Sequence, residues 1–333
     1  MSRALDQGLK ESLKHGSHDS VFLEISSVLT EPSKELLEIE LLGKSHVLDP
    51  SSTVLRDHNA IAIPKLRLVQ AFVAARKLLL KFLEDNRSVS RDEISRSTAV
   101  ILLMDPEHLT AANTRKRLIT TKSQQGDFAD TLEFEKHFVD SLLTSRLHRH
   151  TKSPTLWNHR RWLMDRFCLH DMDIPAEDDI ARIIMISGER HPRNYYAWCH
   201  ARYLTKTFIT TSPNAEKVLS RAITTTQKWC FAHHNDISGW QFLAFLLEKH
   251  PVETSCTFRE TLKFAGSFTW RNESVWYFLR CIAGWGATNH DLEEFELLRR
   301  TLWESAAQGG MERRTLERAE QWTAVSQGLS TGS

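Results

Sequence analysis

The segment HPRNYYAWCHARYL, residues 191–204, has a counterpart in TKSPTLWNHRRWLM, residues 151–164. In both segments a tryptophan is followed by a histidine two positions later and by an arginine four positions later. Two further segments, NDISGWQFLAFLL and WRNESVWYFLRCIAGW, are related to them. The tryptophans that mark the four segments are Trp157, Trp198, Trp240 and Trp276, at intervals of 41, 42 and 36 residues. A motif repeated at this spacing predicts an array of similar structural units.

An earlier copy of the repeat, MDPEHLTAANTRKRLI at residues 104–119, lacks the tryptophan. Ala112 takes the tryptophan position, 45 residues before Trp157. The polar residues that follow still match, since Asn113, Arg115 and Lys116 correspond to Asn158, Arg160 and Arg161. This degenerate copy keeps the period and extends the array toward the N-terminus.

Each unit has the pattern of a helical hairpin. Upstream of Trp157, the segment EFEKHFVDSLLTSRLHRH places Phe134, Phe138 and Leu142 on one row of an amphipathic helix. A turn that contains proline ends this first helix, and the tryptophan helix follows. Because two helices alone leave apolar faces uncovered, neighbouring units are expected to stack. We therefore predict an all-α fold, a right-handed α-α superhelix (solenoid) of about five helical-hairpin repeats with tryptophans packed between layers.

The predicted domains follow from where the pattern is regular. The helical-repeat domain is expected over residues 61–305. Residues 1–60 mix serine, proline and short apolar runs such as LLEIELLG, and we expect a loosely ordered cap there. The segment LEEFELLRRTLWESA predicts an amphipathic helix near the end, and residues 306–333 are assigned to a terminal helix and a disordered tail.

Composition narrows the functional classes. The 43 basic and 42 acidic residues leave the chain nearly neutral, which argues against nucleic-acid binding. The five cysteines are odd in number and have neither zinc-ligand nor redox spacing, which indicates a reducing compartment. The N-terminus has no apolar signal region, and the apolar run of residues 66–83 carries four basic residues, which favours an amphipathic helix over a membrane span. We expect a cytoplasmic protein.

The motif residues resemble a known repeat. Proline, then Asn-Tyr, then tryptophan, then His-Arg is the pattern of protein prenyltransferase alpha subunits, and RNYYAWCHAR and SPTLWNHRR are its clearest instances here. A branch of that family, the repeat-containing proteins, is more similar still, because it also has Lys-Ser-Pro where the classical subunits have Lys-Asn-Tyr. The resemblance covers roughly residues 65 to 285.

Membership in that family implies a heterodimeric transferase. Its alpha subunit is a crescent of helical hairpins around a barrel-shaped beta subunit, and the beta subunit holds a catalytic zinc that activates the acceptor cysteine. The resemblance to the repeat-containing branch implies a beta subunit of the Rab geranylgeranyltransferase type, a prenyl diphosphate donor and a protein acceptor with a C-terminal cysteine, such as a SNARE protein. In this chain we expect no cofactor and no metal ligands.

The same resemblance assigns candidate site residues. A lysine of the second repeat reaches the diphosphate in classical alpha subunits, and Lys152 stands at the matching position as the catalytic candidate. The next repeat contributes polar and aromatic groups, which makes Arg193, Asn194, Tyr195 and Tyr196 the candidates for binding diphosphate or substrate. Tyr196 stands where classical farnesyltransferases have a histidine, so the resemblance does not assign a histidine contact to this position.

Structural readings compete with these assignments. A turn lysine is ordinarily solvated, and Tyr195 or Tyr196 could pack in a groove between hairpins. Arg160, Arg161 and Arg202 are expected to hold helices together. The pair His148 and His150 resembles metal ligands only superficially, and we expect solvated histidines at a helix end. At the level of the whole chain, the alternative to a transferase subunit is a non-catalytic helical-repeat scaffold for protein interactions.

Overall fold

The computed structural model describes residues 16–43, 52–121 and 128–326. The chain divides into two compact units. The first unit comprises Met1–Ile174 and Glu189–His191, and the second comprises Pro175–Gly188 and Pro192–Ser333.

The first unit begins with a helix and a small mixed sheet. Helix α1 (Asp19–Thr30) precedes strands β1 (Glu38–Leu42), β2 (Leu55–Asp57) and β3 (Ala60–Pro64). The strand order is β1-β3-β2, with β1 parallel and β2 antiparallel to β3. The expectation of a loosely ordered cap is therefore wrong for the described part of this segment. Alternate residues of β1 and β3 point into the core, and this burial of an alternating pattern stabilises the strands.

The remainder of the first unit is helical. Its elements are α2 (Lys65–Glu84), α3 (Arg91–Met104), α4 (Leu109–Thr120), α5 (Phe128–Thr144), α6 (His148–Thr151) and α7 (Pro154–Leu169). Helix α2 coincides with the amphipathic helix predicted from its sequence, and it buries one row of alanine and leucine side chains. Helix α3 starts with a capping box in which Ser90 and Glu93 bond each other's backbone amides.

The second unit is entirely helical over its described residues. Its elements are α8 (Ala176–Asp179), a π-helical turn (Ile180–Ile184), α9 (Met185–Arg190), α10 (Tyr195–Leu204), a second π-helical turn (Thr205–Ile209), α11 (Ala215–Ala232), α12 (Ile237–Lys249), a 3-10 turn (Pro251–Glu253), α13 (Thr254–Ser267), α14 (Glu273–Trp285), α15 (Asn289–Glu304) and α16 (Met311–Ser326). The last two residues of α9 group with the first unit. The predicted tail lies outside the described residues beyond position 326.

The helices pair into hairpins, and the tryptophan position always lies on the second helix of a pair. These second helices are α4, α7, α10, α12 and α14. The prediction of an all-α helical-repeat solenoid is confirmed by this order of elements. All four repeat tryptophans and Ala112 are buried.

Within the second unit, tryptophans join consecutive repeats. The ring of Trp198 lies 5.4 Å from Phe242, and the ring of Trp240 lies 5.0 Å from Phe278. Each phenylalanine comes two residues after the next repeat's tryptophan. Aromatic contacts at this distance add to the free energy gained by burying the rings, so they stabilise the stacking of one hairpin on the next.

No helix in the described part of the chain has both the length and the apolarity that crossing a membrane requires.

Candidate functional site

The turn before each second helix has a constant arrangement. The N-cap residue, four positions before the tryptophan position, is His108, Ser153, Asn194, Asp236 or Asn272. In the first four repeats its side chain accepts a hydrogen bond from a backbone N–H of the first helical turn. Such caps satisfy amide groups that have no partner inside the helix, so short polar side chains in this register determine where each second helix begins.

The indole groups anchor three of these turns. Nε1 of Trp157 donates to the carbonyl of Thr151 (2.9 Å), and Nε1 of Trp240 donates to that of His234 (3.0 Å). Trp276 makes the same contact six residues back, at 2.8 Å. In the third repeat the residue six positions back is Pro192, and Nε1 of Trp198 has no hydrogen-bond partner among the described residues. The turn of the third repeat therefore lacks the indole hydrogen bond that the turns of the second, fourth and fifth repeats have.

Consecutive turns are also bonded to each other within each unit. Ser153 Oγ donates to the Pro106 carbonyl over 3.1 Å in the first unit. In the second unit, Asn272 Nδ2 donates to the His234 carbonyl over 2.8 Å, and Asp236 Oδ2 accepts from the backbone N–H of Arg193 over 2.6 Å. These polar contacts between repeats hold the turns in register, so the residue just before each N-cap has a defined place.

The residue just before the N-cap occupies the position at which the catalytic lysine was predicted. It is Lys152 in the second repeat, Arg193 in the third and Arg271 in the last. The side chain of Arg271 is used structurally, since it donates to the Leu302 carbonyl (3.2 Å) and to Ser305 Oγ (2.9 Å). Lys152 and Arg193 are exposed, and neither side chain forms a hydrogen bond or an ion pair within the described residues. Two cations at equivalent turn positions are thus available to an anionic ligand.

Arg193 also has an unusual backbone. Its φ is +59°, a left-handed conformation that costs free energy for a residue with a side chain. The bond from its N–H to Asp236 holds the turn in this shape. The conformation follows Pro192 and precedes the N-cap of α10, so it sets the direction in which the chain enters that helix.

Asn194 has a structural position. It is buried, its Oδ1 accepts from the Ala197 N–H (3.3 Å), and its Nδ2 donates to the Ser187 carbonyl (3.4 Å). Its predicted contact with substrate stays a prediction, but the observed geometry makes it a residue that positions its neighbours.

Tyr195 and Tyr196 present their rings to solvent. Their exposed fractions are 69% and 39%, and the rings meet edge to face at 5.4 Å. A hydrogen bond with Cys199 raises the pKa of Tyr195. The Tyr195 phenol is therefore a protonated donor near neutral pH. The alternative in which one ring is packed in a groove is not seen for Tyr195.

The predicted site is divided between the two units. Lys152 belongs to the first unit, and Arg193, Asn194, Tyr195 and Tyr196 belong to the second.

The arginines that follow the tryptophans are part of the packing. Arg160 is fully buried and pairs with Asp140, and Arg115 at the equivalent position pairs with Glu135. Arg202 is half-buried and donates to the Trp198 carbonyl over 3.3 Å. Burial alone would raise the pKa of Glu135, but Arg115 and His159 outweigh it and lower that pKa to about 2.

The two histidines before Lys152 have different surroundings. The expectation that both are solvated is wrong for His150, which is buried with Nε2 at 3.1 and 3.0 Å from the carbonyls of Leu102 and Leu103. Burial lowers the pKa of His150 to about 4. His148 is exposed, and its Nε2 lies 2.8 Å from Nδ1 of His191. Over the residues that the structure describes, no three His, Cys, Asp or Glu side chains are grouped as metal ligands would be.

One surface feature escaped the sequence analysis. Helices α10, α12, α14 and α16 line a groove of about 410 Å³ whose aromatic residues include Trp285 and Trp322. The sequence signal was weak, because these two tryptophans do not occur at the repeat position and their exposure depends on how four helices pack.

The fold and its turns define a helical-hairpin repeat protein whose turns carry exposed cations. Comparison with known proteins makes this class more specific. The protein prenyltransferase alpha subunit repeat matches residues 140–167, and the ECM9 middle domain matches residues 156–268. The chain is thus a relative of the proteins that carry the prenyltransferase alpha-subunit repeat, as the sequence resemblance indicated.

Full-length relatives agree with this assignment. Protein ECM9 of Saccharomyces cerevisiae is 27% identical over 212 residues, which cover 62% of this chain and 54% of that protein. Protein prenyltransferase alpha subunit repeat-containing protein 1 of Homo sapiens is 28% identical over 200 residues, or 53% of this chain and 45% of that protein. The Danio rerio protein of the same name is 27% identical over 195 residues. The chain spans about half the length of these curated relatives.

Proposed function

We propose that this chain is the alpha-type subunit of a heterodimeric protein prenyltransferase. In this proposal it acts with a beta subunit, of the Rab geranylgeranyltransferase type, to transfer a geranylgeranyl group to a C-terminal cysteine of a protein substrate such as a SNARE. Zinc belongs to the beta subunit, and this chain is inactive alone. The names of the human and zebrafish relatives state a repeat and that of Protein ECM9 states none, so the enzymatic role is inferred from the exposed cations of this chain.

The observation that supports this role most directly is the availability of Lys152. It is an exposed ammonium, without an ion-pair partner in the described residues, at a turn position fixed by the Ser153 cap and the Trp157 anchor. The Ser153 cap and the Trp157 hydrogen bond hold Lys152 just before the first residue of α7 and leave its charge unused. A cation held in this way is suited to an anionic group that arrives from outside the chain.

The transfer reaction is favoured by a cation near the diphosphate. The thiolate of the acceptor cysteine attacks C1 of geranylgeranyl diphosphate, the C–S bond forms, and the C–O bond to diphosphate breaks with its electrons on the leaving oxygen. Negative charge therefore grows on the diphosphate. A fixed donor aimed at such charge lowers the barrier by a few kcal/mol, about 3 in typical cases. Lys152 is the residue we assign to this contact.

The third repeat supplies the secondary candidates. Arg193 offers a second unpaired cation, and Tyr195 and Tyr196 offer exposed hydroxyl donors. Asn194 acts indirectly in this proposal, because its side chain caps α10 and so places the residues on either side of it.

The test is a transfer assay on the complex. The chain is co-expressed with candidate beta subunits, the co-purified pair is supplied with labelled geranylgeranyl diphosphate and an acceptor protein, and label on the acceptor is measured. Lys152→Ala should reduce the rate of transfer by about 100-fold, the size expected for loss of one such donor, while the complex stays intact on gel filtration. Lys217→Ala is the matched control. It removes an exposed lysine on α11, the first helix of the fourth hairpin, and should leave the rate unchanged.

Other outcomes separate the alternatives. An unchanged rate in Lys152→Ala would remove this residue from the site. If no beta subunit co-purifies and the chain is a stable monomer, the transferase proposal fails and the non-catalytic scaffold is favoured. The groove on the second unit would be the place to look for the scaffold's ligand.

A further inference from the structure

The groove on the second unit is formed by the second helices of three repeats and by the terminal helix. It is lined by Arg202 of α10, Phe245 and Glu248 of α12, Tyr277 and Trp285 of α14, and Trp322 of α16. Trp285 is 46% exposed and Trp322 is 49% exposed. Large aromatic side chains left open to solvent and grouped around a cavity are typical of protein-binding sites.

Positive charges surround the same groove. Arg202, Lys206 and Lys249 lie 5.7, 5.6 and 5.8 Å from the ring centre of Phe245. None of the three cations forms an ion pair within the described residues, and Glu248 is the carboxylate of the lining. Burial lowers the pKa of Arg202, and the nearby Glu248 carboxylate opposes this shift without cancelling it. The groove therefore combines apolar surface with an excess of positive charge, three cations against the one Glu248 carboxylate.

We propose that this groove binds an acidic segment of a partner protein, with a large apolar side chain placed among Phe245, Trp285 and Trp322. Carboxylates of that segment would face Arg202, Lys206 and Lys249. Such a segment would complement both features of the groove, because its apolar side chain covers the exposed rings and its carboxylates pair with the cations. A bidentate bond with Arg202 would set its register.

The chemistry of the groove disfavours other occupants. Residues 327–333, which follow α16, contain no acidic side chain to pair with the cations. A nucleic acid would need a longer basic surface than three side chains around one ring provide. Association of two copies of this chain is an outcome that the test below detects.

This inference is independent of lipid transfer. It involves the second unit alone and makes no use of Lys152, so a failure of the transferase assay would leave it standing. Conversely, Lys152→Ala should bind the acidic segment as the parent chain does.

The experiment is a peptide selection followed by measured affinities. A library of random twelve-residue peptides is displayed and selected on the immobilised full chain, and enriched peptides are synthesised with a fluorescent label. We expect enriched sequences to combine a Trp, Phe or Leu with at least two Asp or Glu residues. Fluorescence anisotropy should show binding that weakens as salt is raised, because exposed charges are screened.

Charge reversal locates the binding. The double variant Lys206→Glu with Lys249→Glu should weaken the affinity for the selected peptides by at least about tenfold, an effect on the scale of two lost charge pairs. Its matched control is Lys217→Glu with Lys228→Glu on α11, the first helix of the fourth hairpin. This control changes the net charge equally and should leave the affinity within about twofold. Trp322→Ala, on a side chain that is 49% exposed, should also weaken binding, and circular dichroism checks that the variant stays folded.

Three results would overturn the proposal. The first is a selection without acidic enrichment, and the second is peptide binding that is equal in the parent chain and the Lys206→Glu, Lys249→Glu variant. The third is self-association, measured by analytical ultracentrifugation, that this variant abolishes, because it would assign the groove to a second copy of the chain.

Discussion

Arg160 donates from Nε to Oδ1 of Asp140 over 2.6 Å, and both side chains are removed from solvent. The pair joins the two helices of the second hairpin, α7 and α5. Lys136 adds a second bond to the same carboxylate, at 2.8 Å. Burial alone raises the pKa of Asp140, and the two cations outweigh it and lower that pKa. The carboxylate is therefore ionised in the folded protein, and its removal takes this counter-charge away from the buried Arg160 guanidinium.

Replacement of Asp140 by alanine should accordingly be severe. We expect Asp140→Ala to lower the free energy of unfolding by about 3–5 kcal/mol, the range found when one member of a buried pair is deleted. Urea unfolding followed by circular dichroism measures this. Arg149→Ala, which breaks the exposed pair with Asp105, is the control and should cost under about 1 kcal/mol. Similar losses in the two variants would contradict the prediction.

His150 should make the fold sensitive to acid. Its pKa is about 4 in the folded chain because burial disfavours the charged ring, against about 6.5 when the chain is unfolded. A depressed folded pKa means that the contribution is complete above pH 6.5 and is lost as the pH falls toward 4. Between pH 7.5 and 5 this residue should remove about 2 kcal/mol of stability.

The matched variant is His150→Gln, which keeps an N–H donor for the carbonyls of Leu102 and Leu103 but does not titrate. Its stability should fall by about 2 kcal/mol less than that of the parent chain over the same pH range. Parallel curves for His150→Gln and the parent chain would show that His150 is not the titrating group.

The repeat tryptophans should respond differently to loss of the indole N–H. Trp240→Phe removes a hydrogen bond to the His234 carbonyl, whereas Trp198→Phe removes a buried N–H that has no partner in the described structure. Both changes delete similar ring volume. We expect Trp240→Phe to be the more destabilising by about 1–2 kcal/mol. Thermal unfolding of both variants tests this, and a larger loss for Trp198→Phe would contradict it.

Gly239 should not tolerate a side chain. A Cβ atom at this position would overlap the Trp229 ring, with Cε3 at 2.9 Å, and Trp229 is itself packed edge to face on Trp198 at 5.0 Å. We expect Gly239→Ala to cost about 1–3 kcal/mol, as is usual when a packed core is overfilled. Gly266→Ala is the control, because its nearest neighbour is the flexible end of Leu298, and it should be neutral or slightly stabilising.

Stability can also separate the roles of Arg193 and Asn194. Asn194→Ala removes the N-cap of α10 and should cost about 1 kcal/mol. Arg193→Gly relieves the positive φ and should stabilise the chain by about 1 kcal/mol. If Arg193 also contacts diphosphate, the glycine variant will be more stable and slower in the transfer assay. A variant that is more stable and equally active would limit Arg193 to the turn.

Much of the repeat was predictable because its determinants are local. Apolar rows four residues apart, a polar cap and a tryptophan four residues later act within one hairpin, so the order of residues around Trp157 and Trp240 suffices to predict it. The candidate site was predictable only in part. Lys152 and Arg193 are turn residues in the sequence motif, and they are exposed in the structure. Asn194 is buried because it caps α10, and the family motif alone does not distinguish a capping residue from a binding residue.

The N-terminal sheet was not predicted because its determinants are not local. Strand β1 pairs with β3, so that Ile39 lies beside Ile61, and this pairing joins residues that the helical period does not relate. The alternation in the sequence EIEL was a strand signal, but a five-residue strand has no stability without its partner.

The sequence by itself determined the repeat, its period, the hairpin within each repeat and the turn that precedes each tryptophan, because those features depend on neighbours along the chain. Only the tertiary structure decided which polar residues are buried in pairs, as with Arg160 and Asp140, and which aromatic residues stay exposed, as with Trp285 and Trp322. Burial is a property of several packed helices at once. The free energy of a charge or a ring depends on whether water can reach it, and no single segment of the sequence contains that information.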